Sequence, residues 1–521
     1  LKHERGVLMT ADVNLNVTDL LAFVAFIAFV IIVSLYASRT KDESDESYFL
    51  AGRKLTWWLI GFSLIASNIS TEHFVGMAGR GYELGLAIAS YEWMAAVTLV
   101  IVALFFLPRF LKSGIYTIPE FLEYRYSPGA RSLMAFLIML AYIIVALATV
   151  LYSGALALEA IFGLAVVKGI WLIGILAGVY TVYGGLKAVV WSDLIQGATL
   201  MLGGAVVMVL GFQAIGGPAE FFSLADDKLH TVLPWNHPEM PWVAVFIGGL
   251  WIPNLFYWGL NQFITQRTLG AKSLAEGQRG IIFAAFLKLL IPFIIVFPGI
   301  MAFHLYGGEI DNADQAFPIM MGKVLPAGMR GVMFAALFGA VMSSLDSMLN
   351  SASTIFTIDI YKRLIKPDTP SDKLVRIGRI VTAVFVVFGC LWAPVISNFG
   401  SVFEYIQKIW GFISPGIVAA FIFGLFSKKT PPMGAIGSMI LGIPVYGALL
   451  FFLPDVAFLH HMFITFIVLA AWNIAVTVAK PLPRPAVLPE IENFDHTADK
   501  STVTLGVIVI AITVVLYIIF W

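Results

Sequence analysis

Charge is scarce in this chain. Asp, Glu, Lys and Arg make up 12% of its 521 residues, about half of the roughly 25% usual in a soluble domain. A soluble fold of this size needs far more polar surface to cover its core. The scarcity is even-handed, with 32 basic and 32 acidic residues, so nothing points to nucleic acid or to acidic partners in bulk. Cysteine is nearly absent. Cys390 alone excludes a disulfide framework and a cysteine metal site, and its apolar surroundings read as those of a free buried thiol. Catalytic signatures are missing too: there is no HExxH, no cysteine pair and no phosphate loop. The chain reads as a non-enzyme.

What is abundant is apolar sequence, at 60% of residues and a mean hydropathy of +0.90. Runs of about 20 apolar residues mark spanning helices. Fourteen are expected, at roughly 19–37, 57–82, 86–108, 131–161, 166–183, 188–213, 243–266, 279–303, 328–361, 376–397, 401–427, 432–453, 460–480 and 502–520. The first follows Asp12 and Asp19, where a cleavable signal would carry basic residues, so it reads as a retained span. With the N-terminus outside, 23 of the 32 Lys and Arg residues fall in inner loops and their flanks, and seven fall outside. That asymmetry is the one expected of cytoplasmic loops, and it puts both termini on the outer side of a cell (inner) membrane. No soluble domain interrupts the spans. Segments 214–242 and 304–327 read as outer caps, and 480–501, with four prolines and four acidic residues, as a solvated inner linker.

Two spans break the apolar rule. The middle of 57–82 reads Ser67-Asn68-Ile69-Ser70-Thr71-Glu72-His73, and such hydroxyls and amides can satisfy backbone groups freed by an unwound turn. Span 243–266 holds Gly248-Gly249, Pro253-Asn254 and Asn261-Gln262, and the proline removes a backbone donor. Interrupted helices at matching places in two halves suggest an inverted repeat, with half-helix ends at mid-membrane to hold ions and polar groups.

The strings Ser63-Leu-Ile-Ala-Ser-Asn-Ile-Ser70, Gly85-Leu-Ala-Ile-Ala-Ser-Tyr-Glu-Trp93, Gln266-Arg-Thr-Leu269, Ser343-Ser344 and Asn350-Ser-Ala-Ser-Thr-Ile-Phe-Thr-Ile-Asp-Ile-Tyr361 resemble the sodium/solute symporters. Within them they look most like the sodium/glucose (galactose) cotransporter branch, and the resemblance runs from Leu20 to Trp521. It implies an all-α polytopic membrane protein with a LeuT-type fold: ten core helices in two inverted five-helix repeats, one helix before and three after. The expected division is 1–56 (extra helix and inner loop), 57–215 (first repeat), 216–242 (outer loop), 243–427 (second repeat) and 428–521 (extra helices).

Glu92 and Lys288 each stand in an apolar stretch. A lone charge at that depth costs about 2.5–3.5 kcal/mol, whereas together they can pair and offer acceptors and donors to hydroxyls. The resemblance implies a sugar held by Glu92, Asn254, Lys288 and Gln407, with His73 beside them. His73 and Ala95 depart from the bacterial galactose transporters of the branch, which carry glutamine and serine, and follow the animal glucose cotransporters. The resemblance makes Tyr257, bonded to Asn68, an inner gate, and Met77, Tyr91 and Phe403 an outer one. It implies a sodium site of Ser343, Ser344 and the backbone at Ala66, Ile69 and Ala340, all hard oxygens. Asp346 lies three residues after Ser343 on a neighbouring helix face, and Asp193 matches the acidic residue that the resemblance associates with a second ion; together they raise a second cation, sodium or proton, between Asp193, Asp346 and Ser347. The functional expectation is sodium-coupled hexose uptake by alternating access, or sodium symport of a carboxylate, sialic acid, polyol or amino acid. Sodium, a monosaccharide and the bilayer are the expected partners, with no obligate protein partner evident.

Overall fold

The computed structural model describes residues 16–38, 45–70, 72–162, 164–310, 313–398, 402–491 and 494–521. Among them almost every element is a helix, beside one isolated bridge between Leu55 and Ala271. Twelve helices are long and apolar enough to cross a membrane. Their burial separates core from rim. The span Met329–Ile365 is 94% buried and Leu274–Tyr306 72%, but Val17–Ser34 is only 17% and Pro432–Phe452, Phe458–Ala479 and Ser501–Ile519 are 28% each. The first helix and the last three therefore wrap a denser bundle, and their apolar outer faces suit lipid rather than water.

Twelve helices meet that criterion where fourteen spans were expected, and two of the expected runs account for the difference. The run expected at 57–82 is interrupted at its polar middle, as two halves, Trp57–Asn68 and Glu72–Leu84, separated by extended backbone at Ile69. The runs expected at 166–183 and 188–213 join in one helical segment, Val166–Ile215, whose first part, Val166–Val179, is a short apolar helix. Fifty residues at about 1.5 Å each would exceed twice the bilayer core as a straight rod. The two parts serve different neighbours: Gly174 and Gly178 face Cys390 and Val386, while Gly197 and Gly203 face Ala66 and Met333.

The second break also falls elsewhere than at Pro253-Asn254. Pro253 sits in the first turn of Trp251–Leu255, where a missing N–H costs nothing. Of the three places named in that span, the chain opens at the other two: at Gly248-Gly249, between Trp242–Phe246 and Trp251–Leu255, and at Asn261, which is extended (φ −85°, ψ 119°) between Phe256–Leu260 and Gln262–Leu269. A Cβ on Gly249 would stand 1.7 Å from the Leu459 carbonyl oxygen, so this approach admits no side chain. Tyr142 holds the Asn261 break. Its hydroxyl donates to Asn261 Oδ1 and accepts from the Phe263 N–H (3.1 Å).

Segments read as inner meet one another. Ile491 N donates to Lys112 O (3.0 Å), Leu274 N to Asp495 O (3.0 Å) and Leu482 N to Lys429 O (2.9 Å). Segments read as outer do likewise: Thr231 N donates to Phe520 O (2.8 Å), and Asp19 Oδ1 accepts from Gly328 N (2.7 Å) and Gly331 N (3.2 Å).

Candidate functional site

The two breaks face one cavity of about 210 Å³. His73 and Met77 enter it from Glu72–Met77, Tyr91 and Glu92 from Ser90–Ile101, Asn254 from Trp251–Leu255, Tyr257 and Trp258 from Phe256–Leu260, Lys288 from Leu274–Tyr306 and Ser344 from Met329–Thr354. Broken helices make this possible, since each half ends inside the bundle and brings its last side chains to mid-depth.

Through the cavity wall runs one connected chain of polar groups. Lys288 Nζ donates to Glu92 Oε2 and to Asn68 Oδ1. Asn68 Nδ2 donates to Tyr257 Oη (3.1 Å). On the far side, His73 Nε2 lies 3.5 Å from Glu92 Oε1. Glu92 and Lys288 are buried, so each charge is supported by the other rather than by water. Lys288 Nζ also stands 4.8 Å from the Trp258 ring centroid, a cation–π contact. Asn254 uses its amide nitrogen on Leu250 O (3.1 Å). The side chains of Phe403 and Gln407 lie outside the described residues.

Beside this cavity, Ser343 and Ser344 meet the open turn of the first break. Ser343 Oγ is 3.3 Å from Ala66 O, and Ser344 Oγ is 3.4 Å from Ser67 O. Ile69, just after the half-helix Trp57–Asn68, and Ala340, on the helix of the two serines, are both buried. Ser344 and Ser67 also line the cavity, so the hydroxyl cluster and the charged chain share one space.

Of the residues raised for a second cation, Asp193 and Ser347 meet at Ser67 and Arg267. Asp193 Oδ2 accepts from Ser63 Oγ (2.5 Å), Ser67 Oγ (2.9 Å) and Arg267 Nη2 (3.1 Å), and its Oδ1 accepts from Ser343 Oγ. Arg267 Nη2 also donates to Ser347 Oγ, and Arg267 Nε to Ser63 Oγ (2.6 Å). Asp346 Oδ1 instead accepts from Thr181 Oγ1 (3.0 Å). Arg267 was expected in an inner loop. It is 1% exposed, because it closes the half-helix Gln262–Leu269 and its side chain folds back into the bundle. Sequence reasoning missed Arg267, Trp258 and Trp410, of which the two tryptophans line the cavity. Trp258 stands directly after the gate candidate Tyr257, a usable signal. Arg267 stands in the family-like string Gln266-Arg-Thr-Leu269, but at the end of an expected span its charge reads as that of a loop cation.

Broken helices around a shared polar cavity, at the centre of a bundle with an apolar rim, define an integral membrane transporter of the alternating-access class. The family model for the sodium:solute symporter family matches residues 48–442. A sodium/glucose cotransporter of Vibrio parahaemolyticus is 43% identical over 97% of this chain and 99% of its own length. This chain belongs to the sodium:solute symporter family. A sodium/myo-inositol cotransporter 2 of Mus musculus is 34% identical over 82% of the chain and 68% of its own length. Among solved structures, a substrate-bound outward-open sodium-coupled sialic acid symporter superposes with a TM-score of 0.81 at 25% identity, covering 91% of this chain and 99% of that one. A nucleobase-cation-symport-1 family transporter in a closed conformation superposes at 0.58 and 15% identity over 86% and 98%, which speaks to the LeuT-type fold alone.

Proposed function

We propose that this protein carries a hexose into the cell together with sodium, by alternating access around the central cavity. The carrying observation is the continuous chain His73–Glu92–Lys288–Asn68–Tyr257 along one cavity wall. It offers acceptors and donors side by side, as a ring of hydroxyls requires when it gives up water. In this reading His73, Glu92, Asn254, Lys288 and Gln407 hold the sugar. Asn68 and Tyr257 form the inner gate, and Met77, Tyr91 and Phe403 the outer one.

Sodium is taken by Ser343, Ser344 and the carbonyls of Ala66, Ile69 and Ala340. Oxygens bound about 2.4 Å from a hard cation at right angles stand about 3.4 Å apart, which matches the 3.3 Å between Ser343 Oγ and Ala66 O. The protein lies in the cell (inner) membrane with both termini outside. Residues 57–215 and 243–427 form the two inverted repeats, and 1–56, 216–242 and 428–521 are additions to them.

Purified protein in proteoliposomes is the test. An inward sodium gradient is expected to drive accumulation of labelled glucose or galactose, and Glu92→Gln is expected to lose it. A cyclic polyol is the second reading, supported by the similarity to a myo-inositol cotransporter. Sodium-driven accumulation of myo-inositol with none of either hexose would establish it and overturn the first.

A further inference from the structure

The half-helix Glu72–Leu84 ends among the segments read as outer, and segment 214–242 holds that end in two ways. One is a fixed seat. Lys228 Nζ donates to the carbonyls of Tyr82 and Glu83 (3.0 Å each), which a helix end leaves unpaired. Lys228 O comes within 2.3 Å of where a Cβ on Gly85 (φ 84°) would stand, so only glycine fits that corner. The other tie is an ion pair. Arg80 Nη2 donates to Glu239 Oε2, and Arg80 Nη1 donates to Glu83 Oε2 on its own helix (2.5 Å). The side chains of Arg80 and Glu239 are 30% and 53% exposed. Glu239 stands on a small loop, 234–241, closed by Trp242 N donating to Leu233 O (3.3 Å). His237 shapes it, its Nδ1 accepting from Glu239 N (3.2 Å) and Met240 N (3.1 Å). Among the described residues, Glu239 with Arg80 is that loop's one hydrogen-bonded tie outside its own stretch of chain.

Arg80 belongs to the cavity as well. The cavity follows Glu72–Leu84 away from the charged wall, along His73, Gly76, Met77 and Arg80, which all line it. A Cβ on Gly76 would meet nothing within 4 Å, so the space between the wall and Arg80 is open. Leu250, Pro253 and Asn254 line the same cavity from the second interrupted span. Glu239 stands three residues before the first piece of that span, Trp242–Phe246. The ion pair therefore links the outer part of one interrupted helix to the lead-in of the other. It does so where the cavity lining meets a solvent-exposed side chain.

We propose that Arg80 and Glu239 form a strap across the outer mouth of the cavity, closed in this structure, which parts to admit the solute. The proposal rests on reading the cavity as the solute's path. Lys228 and Gly85 keep the base of the loop seated while its tip swings, so parting exchanges one ion pair for water and leaves the bundle as it is. A half-exposed pair suits this, because it is weak and both of its ends regain water on opening. Glu83 keeps the Arg80 guanidinium near the mouth in either position, so the strap re-forms without a search.

The test measures access. The chain's single cysteine, Cys390, is buried, so a Gly76→Cys protein carries one reporter thiol in the open space behind the strap. Its rate of reaction is followed with a membrane-impermeant thiosulfonate added outside right-side-out vesicles, without sodium or sugar. In that background Arg80→Gln and Glu239→Gln are each expected to speed labelling about three- to fivefold, the scale of a half-exposed pair. The double variant is expected to be no faster than either alone, because the two residues act as one tie. Glu83→Gln, whose pair lies within one helix, is expected to leave the rate unchanged. Raising choline chloride from about 0.1 to 1 M cuts the screening length from about 10 to 3 Å. That is expected to speed labelling while the pair is intact and to do nothing once either partner is gone. Equal rates in all variants overturn the proposal. So do additive effects of the two substitutions, a matching effect of Glu83→Gln, or a thiol that does not react from outside. Labelling needs no transport. Absence of any sodium-driven sugar accumulation by the unmodified protein would instead sink the symport reading and leave labelling to judge the strap separately.

Discussion

Lys288 has three partners, Glu92, Asn68 and the Trp258 ring, and is 1% exposed. Removing one member of a buried pair leaves the other uncompensated, at about 3–5 kcal/mol. Lys288→Met is therefore expected to lower stability by that order and to abolish uptake. Glu92→Gln/Lys288→Met is expected to regain most of the stability without uptake. Thermal unfolding of the purified proteins beside an uptake assay separates the two effects. His73 reaches Glu92 only at 3.5 Å, so its exchange is gentler. His73→Gln is expected to shift the preference between glucose and galactose by about two- to tenfold, the worth of one net hydrogen bond, as read by competition for uptake.

The breaks are where elements decide function. Tyr142 serves both Asn261 and the Phe263 N–H, so Tyr142→Phe leaves a buried donor unmet at about 1–3 kcal/mol. A lower unfolding temperature and faster hydrogen exchange at 261–264 are expected. The first break was legible in the sequence because its polar residues are contiguous, from Ser67 to His73. The second was misplaced because proline advertises a break wherever it stands, although in a first turn it causes none. Asn261 was among the polar places named in that span, but only Tyr142 reaching it across 119 residues shows the break to be there. The charged pair Glu92–Lys288 was legible because charge in an apolar run must find a partner. Arg267 was not, since a basic residue at the end of a span reads as a cytoplasmic flank, and only its folded-back side chain shows otherwise. The continuous segment Val166–Ile215 was illegible for a related reason: Gly184-Gly185 and Lys187 read as a loop, although none of them forbids helix.

At the scale of the molecule, the linker 480–501, read from the sequence as inner, ties the segments on its side together. It pairs with Lys112, Leu274 and Lys429 through backbone bonds, and Asp499 accepts from Arg279 Nε (3.0 Å). That hydrogen bond lowers the Asp499 carboxyl from 3.8 to about 2. A carboxylate with a depressed value stabilises the folded state above its ordinary range and loses that contribution as pH falls through the folded one. The attachment is thus expected to hold unchanged between about pH 7 and 5 and to loosen below about pH 4. Arg279 is about half exposed, so the pair is worth no more than about 1 kcal/mol. Hydrogen exchange of the amides around 495–501 measures it, and Asp499→Asn is expected to reproduce the acid result at neutral pH.

Asn68 spends its two ends differently: the amide oxygen on Lys288, in the solute chamber, and the amide nitrogen on Tyr257, at the chamber's floor. If Tyr257 is the inner gate proposed above, one small side chain carries the news of an occupied chamber to the barrier beneath it. A carrier deprived of that messenger would keep its chamber and its ion ligands but lose the rule that joins them. Asn68→Leu, of similar size, is expected to become a uniporter, letting solute equilibrate down its own gradient while sodium is absent. Counterflow of labelled sugar in sodium-free vesicles would reveal it, and a variant that exchanges nothing without sodium would show that the rule is kept elsewhere.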